Sequence, residues 1–239
     1  MTIAIMQPYL FPYIGYWQLI NAVDTFVVYD NIQFSKSGWF HRNNILLNGK
    51  KTLFSIPLKK DSDSLDVVDR FVSDEAQKQI NKILGQIKNA YNKAPYFKEV
   101  FPFIKSIFLY DEKNLFRYIH NSIVEVCAYL DINTQIIISS TIEIDHGLKS
   151  QEKVIALNKA MDSTQYINPI GGTELYDTDV FQNENIHLNF LESEVPEYRQ
   201  FKEEFVPYLS IIDILMFNSK EEVKEMLEKY KLLGDSDNV

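Results

Sequence analysis

The first thirty residues combine two hydrophobic periods. Residues 2–6 form a short, continuous apolar run typical of a buried strand, and residues 25–29 form a second run rich in β-branched and aromatic residues. Between them, residues 13–22 place apolar side chains at helical spacing. Two strands joined by a helix form a βαβ crossover, for which parallel pairing is expected.

The middle of the chain changes from strand to helix. Two apolar runs flank Asn48-Gly49, a preferred two-residue turn, so residues 44–58 are predicted to form a β-hairpin. Residues 66–72 are predicted to add another strand. Residues 73–131 then keep helical spacing and are predicted to be a helical insertion. Its three predicted helices lie at residues 73–94, 98–109 and 113–131.

After residue 131 the two patterns alternate again. Strands are predicted at 135–140, 165–168 and 186–190, with helices at 149–162, after Gly172, at 208–217 and at 220–231. Such alternation is typical of an α/β sheet. The sequence therefore predicts one α/β domain over residues 1–239: a mostly parallel open sheet with a Rossmann-like N-terminal unit, a helical insertion at about 73–131 and C-terminal helices at 208–231.

Composition limits the partners. The chain has 239 residues with a net charge of -9, which argues against nucleic acid as the main partner, because binding to phosphates requires Lys and Arg. The single cysteine, Cys127, excludes an intrachain disulfide, and the four separated histidines predict no metal site. No apolar stretch approaches the ~20 residues of a membrane span, and the N-terminus lacks a signal-peptide pattern, so a cytoplasmic location is expected.

The turn after the first strand is unusually rigid. Gln7, Pro8, Pro12 and Gly15 separate that strand from the first helix, and the glycine allows close approach of a ligand. The arrangement resembles nucleotidyltransferase and pantothenate-synthetase domains, in which a histidine handles ATP, although Tyr16 stands at that position here. A purely structural strand-to-helix turn is the alternative.

Residues 33–44 concentrate polar and cationic side chains. A neutral His41 could accept a proton near pH 7, while Lys36 and Arg42 could hold a diphosphate or carboxylate, next to the aromatic face of Trp39. An ordinary surface histidine is the alternative interpretation.

Two later segments are further candidates. Asn168 is followed by Gly171 and Gly172, whose amides could cradle an anion or acyl oxygen, or could simply form a βα turn. Ser210 and Asp213 fit a helix-capping pattern, although Asp213 could instead orient a histidine.

Several motifs together resemble the WbqC-like family of bacterial proteins. They are Ala4 to Tyr16, Asp24 to Asp30, Gln33 to Lys36, Trp39, Arg42-Asn43, Tyr91 to Phe97, Tyr166 to Pro169 and Leu209 to Asp213. The resemblance covers nearly the whole chain and implies a role in making O-antigen or other surface polysaccharides. It further implies transfer of an acyl or aminoacyl group, such as glycyl, to the amine of a nucleotide-linked amino sugar.

The resemblance also implies roles for the candidate residues. His41 would be the general base, and Asn168 with the Gly171 and Gly172 amides would stabilise the oxyanion. Asp213, which could orient a histidine, is the third candidate catalytic residue. Substrate contacts would come from the remaining candidates: Gln7, Tyr9, Tyr16, Asp30, Gln33, Lys36, Trp39, Arg42, Asn43 and Tyr176. This assignment predicts that His41 and Asn168 share one pocket.

Two other classes of function stay open. An ATP-dependent ligase or nucleotidyltransferase would bind ATP and magnesium at the N-terminal turn. A non-catalytic scaffold of a polysaccharide-synthesis complex would instead expose an apolar patch. For the transferase, the expected partners are a nucleotide-activated amino sugar and a small acyl or aminoacyl donor. No cofactor other than this donor is expected, and self-association into a homo-oligomer is left open.

Overall fold

A computed structural model describes residues 1–202 and 204–234. In this part of the chain the strands are β1 (Thr2–Met6), β2 (Thr25–Val28), β3 (Arg42–Leu47), β4 (Lys50–Ser55), β5 (Gln135–Ile138), β6 (Gln165–Pro169), β7 (His187–Ser193) and β8 (Tyr230–Leu233). The α-helices are α1 (Ile14–Asn21), α2 (Ala76–Tyr91), α3 (Phe97–Phe108), α4 (Leu115–Tyr129), α5 (Ser150–Ala160), α6 (Thr178–Asn183), α7 (Ile211–Phe217) and α8 (Lys220–Leu227).

Six strands form the central sheet, in the order β5-β2-β1-β6-β7-β8. Neighbouring strands are parallel except at one edge, where β8 runs antiparallel to β7. The prediction of an α/β fold with a mostly parallel sheet is therefore confirmed. The predicted helix over 220–231 is too long, because α8 ends at Leu227 and the chain turns back to form β8.

The sheet is buried on both faces. Along β1, Ile3 and Ile5 pack with Val154 and Leu157 of α5, whereas Ala4 points into the larger core on the opposite face, which contains α1 to α4. Because successive side chains of a strand point to opposite faces, a strand covered on both sides is apolar throughout. This explains the continuous apolar run at the start of the sequence.

The hairpin of β3 and β4 lies outside the central sheet. Its register pairs Leu47 with Lys50, and Asn48 and Gly49 form the turn with φ of 53° and 74°. Positive φ at both central positions characterises the turn that suits a two-residue hairpin, so this prediction is confirmed.

The strand predicted at residues 66–72 is wrong. Val67–Asp69 form a 3-10 turn, flanked by isolated bridges. The backbone amides of this segment bond to different parts of the chain: Val67 to the carbonyl of Ile32, and Val72 to the carbonyl of Lys113. Because no single neighbouring strand runs alongside, no ladder forms.

Candidate functional site

A cavity of about 920 Å³ opens at the carboxyl ends of β1, β2 and β6. From β1 the chain continues through α1 to β2 on one side, whereas β6 lies on the other side of β1. Ligands of open α/β sheets bind at such a point, where the strand order changes direction, because the loops diverge there and leave a crevice. Of the predicted site residues, the cavity wall contains Gln7, Gln33, Asn168, Gly171, Gly172 and Tyr176.

The end of β1 is held by two tyrosines. Tyr9 donates its hydroxyl hydrogen to Oε1 of Gln7 at 3.1 Å, and Tyr16 donates to the carbonyl of Gln7 at 3.0 Å. Tyr16 is buried, and this burial holds the pKa of its hydroxyl well above the ordinary value. Neither tyrosine is part of the cavity wall. Both therefore position Gln7 instead of forming the predicted substrate contacts there.

Asp30 links β2 to the chain after β5. Its carboxylate accepts hydrogen bonds from the hydroxyls of Ser139 at 2.7 Å and Ser140 at 2.6 Å, and from the amide of Ser140 at 2.9 Å. Asp30 is 1% exposed and is not part of the cavity wall. Its role in this structure is to hold two strand ends together.

His146 lies in the cavity wall and has both ring nitrogens engaged. Its Nε2 is 3.0 Å from the carbonyl of Ile142, which can only accept, so Nε2 carries the proton. Nδ1 then accepts a hydrogen bond from the side-chain amide of Asn31 at 2.9 Å. A ring used at both nitrogens shapes the wall but has no free position for proton transfer. Sequence reasoning missed His146, and no motif around it gives a signal.

Lys153 supplies a buried cation on the same wall. It is 4% exposed, donates to the carbonyl of His146 at 3.3 Å, and places Nζ 4.9 Å from the ring centroid of Tyr29. Burial lowers the pKa of the ammonium, and the nearby carboxylates of Asp66 and Asp30 oppose this shift. The sequence predicts only that Lys153 lies in a helix. Its inward position could not be predicted, because it depends on how α5 packs on the sheet.

Asp66 lines the same cavity as Lys153. Burial raises the pKa of the Asp66 carboxyl and the charges of Asp69 and Asp30 add to this, while Lys153 acts in the opposite direction. The same surroundings raise the pKa of Tyr29 to about 12, through burial first and then through Tyr176 and the two carboxylates Asp66 and Asp30. The cavity thus contains a carboxylate, a buried ammonium and a neutral phenol.

The turn after β6 is shaped by Asn168. Its Oδ1 accepts a hydrogen bond from the Tyr166 hydroxyl at 3.0 Å, and its Nδ2 donates to the carbonyl of Pro169 at 3.1 Å. A Cβ atom at Gly172 would overlap Nδ2 of Asn168, whereas a Cβ at Gly171 would meet only open space. The predicted Gly-Gly pair therefore contains one glycine that the packing requires and one that it does not.

The start of α5 completes the wall. Lys149 and Ser150 line the cavity, and Ser150 has a φ of 50°, which is unusual for a residue other than glycine. Such backbone strain persists only where the surrounding structure imposes it, and it is concentrated at functional sites.

His41 does not reach this cavity. Its ring packs 5.5 Å from that of Phe34, and its buried Nδ1 has no hydrogen-bond partner in the described part of the chain. Burial, together with the charges of Arg42 and Arg70, lowers the pKa of His41 from 6.5 to about 4. The cavity wall contains Asn168 but not His41, so the predicted shared pocket does not occur in this structure.

The cationic and polar neighbours of His41 are used locally. Lys36 forms an exposed ion pair with Asp63 at 2.9 Å. Arg42 donates from Nε to the carbonyl of Gly38 at 2.9 Å, and also to the carbonyl of Ser37. These contacts stabilise the loop and lie outside the cavity wall, contrary to the expectation that Lys36 and Arg42 contact its ligand.

Asn43 and Trp39 also lie outside the cavity. Asn43 is buried and donates to the carbonyls of Leu10 at 3.1 Å and Phe11 at 2.8 Å, which pins the N-terminal turn to β3. Trp39 is 40% exposed and lines a separate apolar cleft.

Asp213 is the centre of a buried network instead of a partner for a histidine. It accepts hydrogen bonds from the hydroxyls of Tyr91 and Tyr198, both at 2.6 Å, and from Nε2 of Gln200 at 2.8 Å. Ser210 caps α7 as expected, since its hydroxyl accepts from the amide of Ile212, but the Asp213 side chain does not reach back to the cap. The predicted catalytic role of Asp213 has no support from these contacts.

Residues 1–202 and 204–234 meet neither the requirements of a metal site nor those of a membrane-spanning helix. No three His, Cys, Asp or Glu side chains in these ranges are grouped so that they could hold a metal ion. Within the same ranges, every helix is too short or too polar to cross a lipid bilayer.

Comparison with known proteins gives a relative and a family. The chain is 25% identical over 233 residues to a protein of Mycobacterium tuberculosis (strain ATCC 25618 / H37Rv) described as "Uncharacterized protein Rv1507c", covering 94% of this chain and 96% of that one. No solved structure matches. The sequence model of the WbqC-like protein family matches residues 7–225, which is most of the chain. The protein therefore belongs to the WbqC-like protein family.

Proposed function

We propose that this protein is a transferase of bacterial surface polysaccharide (O-antigen) biosynthesis, which adds an acyl or aminoacyl group such as glycyl to the amine of a nucleotide-linked amino sugar in the cytoplasm. The observation that carries the proposal is the cavity at the strand-order reversal, which combines the buried Lys153 with the Asp66 carboxylate. Its volume of about 920 Å³ suits a ligand of nucleotide-sugar size.

The cavity offers binding groups of the right chemistry. Lys149 and Lys153 supply positive charge for a diphosphate, next to the start of α5, where the helix dipole favours an anion. The rings of Tyr29 and Tyr176 provide faces against which a base or sugar can pack. Gln7 and Asn31 provide amides that can select hydroxyl and amino groups.

Asp66 replaces His41 as the proposed general base. The amine nitrogen of the sugar attacks the carbonyl carbon of an activated ester or thioester, and a carbon–nitrogen bond forms. The amine proton passes to the Asp66 carboxylate, whose raised pKa makes it a better acceptor. The bond between the carbonyl carbon and the ester oxygen or thioester sulfur breaks, and the leaving alkoxide or thiolate takes the proton from Asp66, which returns to its carboxylate form. One hydrogen of the Asn168 amide is not used by Pro169, and this hydrogen is available to the oxyanion.

A ligand screen tests binding. Thermal unfolding is measured with a nucleoside-diphosphate amino sugar, its N-acetylated form, an acyl-CoA, and ATP with magnesium. We expect the free amino sugar nucleotide to raise the melting temperature, because a ligand that binds the folded state stabilises it. The variant Lys153→Met should lose the shift, and Lys36→Met, which removes an exposed lysine elsewhere, should keep it. A shift with ATP alone would favour a ligase or nucleotidyltransferase. No shift with any of the compounds would favour a scaffold.

A product assay tests the chemistry. Mass spectrometry should detect the N-acylated sugar nucleotide when the amino sugar and an acyl donor are supplied together. Asp66→Asn should retain the thermal shift but lose product by about 10²-fold or more, the usual contribution of a general base. Equal product from Asp66→Asn and the natural protein would refute the role of Asp66.

A further inference from the structure

A smaller cleft is lined by residues of the N-terminal turn together with Trp39 and Tyr208. It has a volume of about 320 Å³ and is lined by Tyr9, Pro12, Tyr13, Trp39, Asn43 and Tyr208. The exposed fractions of Trp39 and Tyr208 are 40% and 60%, which is unusual for two large rings that line one cleft. None of these residues lines the cavity at the carboxyl ends of β1, β2 and β6. The reaction proposed above therefore leaves this cleft unexplained.

The backbone holds the rings in place at a conformational cost. Tyr208 has a φ of 56°, in the left-handed region that a tyrosine rarely adopts, and its ring lies 6.0 Å from that of Tyr13. Phe11, at the base of the turn, has a φ of 45°, and its carbonyl is held by Asn43. Backbone strain of this kind is concentrated at ligand sites, and here it presents the exposed ring of Tyr208.

Two cations flank the cleft. The guanidinium of Arg42 lies 5.6 Å from the ring centroid of Trp39, and Nζ of Lys51 lies 5.5 Å from that of Tyr208. Arg42 begins β3 and Lys51 lies on β4, on the same outer face of the hairpin. Neither side chain has a carboxylate partner within residues 1–202 and 204–234. In a chain with a net charge of -9, two cations beside one cleft that have no carboxylate partner among the described residues favour an anion.

The inside of the cleft has little to offer a polar ligand. Its one buried amide, that of Asn43, donates from Nδ2 to two backbone carbonyls and accepts from the amide of Asn44 with Oδ1. The part of a ligand that enters must therefore be apolar, because a buried polar group without a partner weakens binding. The charged end must remain at the mouth, where Arg42 and Lys51 lie.

We propose that the cleft between Trp39 and Tyr208 binds a soluble anionic amphiphile, with its apolar chain in the cleft and its phosphate or carboxylate between Arg42 and Lys51. The cleft is concave and encloses about 320 Å³, which suits a single chain better than the surface of a bilayer. This site is separate from the transferase cavity and does not depend on the reaction proposed there.

Tryptophan fluorescence reports on this cleft directly. The chain has two tryptophans, of which Trp17 is fully buried and Trp39 is 40% exposed, so acrylamide quenching reports mainly on Trp39. Octyl phosphate, below its micelle concentration, should protect Trp39 from quenching. Octanol has the tail without the charge, inorganic phosphate has the charge without the tail, and octyltrimethylammonium has the opposite charge. All three should protect at least about fivefold more weakly.

Three variants test the placement of the ligand. Lys51→Glu should weaken protection by octyl phosphate about fivefold or more, while Lys50→Glu, the same charge change at the adjacent position of β4, should leave it unchanged. Tyr208→Asn removes a ring at a φ that asparagine tolerates and should also weaken protection. Three results would overturn the proposal. The first is equal protection by octyl phosphate and octyltrimethylammonium, and the second is an equal effect of the two lysine variants. The third is co-sedimentation of the protein with phosphatidic acid vesicles without binding of octyl phosphate.

Discussion

His41 makes the folded state sensitive to acid. The folded protein holds its imidazole neutral, because burial and the charges of Arg42 and Arg70 lower the pKa of His41 from 6.5 to about 4. An unfolded chain takes up this proton near pH 6.5. The contribution of His41 to the free energy of unfolding is therefore fully present above pH 6.5 and is lost as the pH falls towards 4.

The size of the effect follows from the pKa difference. At about 1.4 kcal/mol for each pKa unit, the shift corresponds to an upper limit of about 3.5 kcal/mol. His41 is only partly buried, so water screens the neighbouring charges and reduces the expected loss to about 1 to 2 kcal/mol. His41→Phe keeps a ring against Phe34 but cannot take up a proton.

Urea unfolding at pH 7.5 and pH 4.5 measures this difference. Other titrating groups act in both proteins and cancel when the natural protein is compared with His41→Phe. As the pH falls from 7.5 to 4.5, we expect the free energy of unfolding of His41→Phe to rise by about 1 to 2 kcal/mol relative to that of the natural protein. A difference that stays constant with pH, or changes in the opposite direction, would refute the reasoning.

Three further predictions concern packing. Gly172→Ala should destabilise the fold by about 1 to 3 kcal/mol in urea unfolding, because the new methyl group overlaps the Asn168 amide. Gly171→Ala should be nearly neutral, and equal effects of the two variants would contradict this geometry. Asp213→Ala removes the acceptor of the Tyr91 and Tyr198 hydroxyls and one of the two acceptors of Gln200 Nε2, and should cost about 3 to 5 kcal/mol. A cost below about 1 kcal/mol would show that the network is not structural. Tyr198→Phe removes one of these bonds and should cost about 1 to 3 kcal/mol by the same measurement.

Local pattern was enough to predict most elements of the fold. The β1-α1-β2 unit follows from apolar spacing over short windows, and the hairpin follows from Asn48-Gly49, since both depend on residues adjacent in sequence. Elements that depend on distant neighbours were missed. Tyr230–Leu233 is a strand only because the edge of β7 is available beside it, and residues 66–72 fail to form one because no continuous partner lies alongside.

The candidate site shows the same division. The sequence by itself determined that polar and glycine residues follow β1, β2 and β6, and parallel strands bring these ends to one edge of the sheet. Only the tertiary structure decided that Lys153, Asp66 and His146 join them while His41 turns towards Phe34. The physical reason is that spacing along a chain determines which residues share a strand or a helix face, whereas strand order and helix packing determine which loops meet.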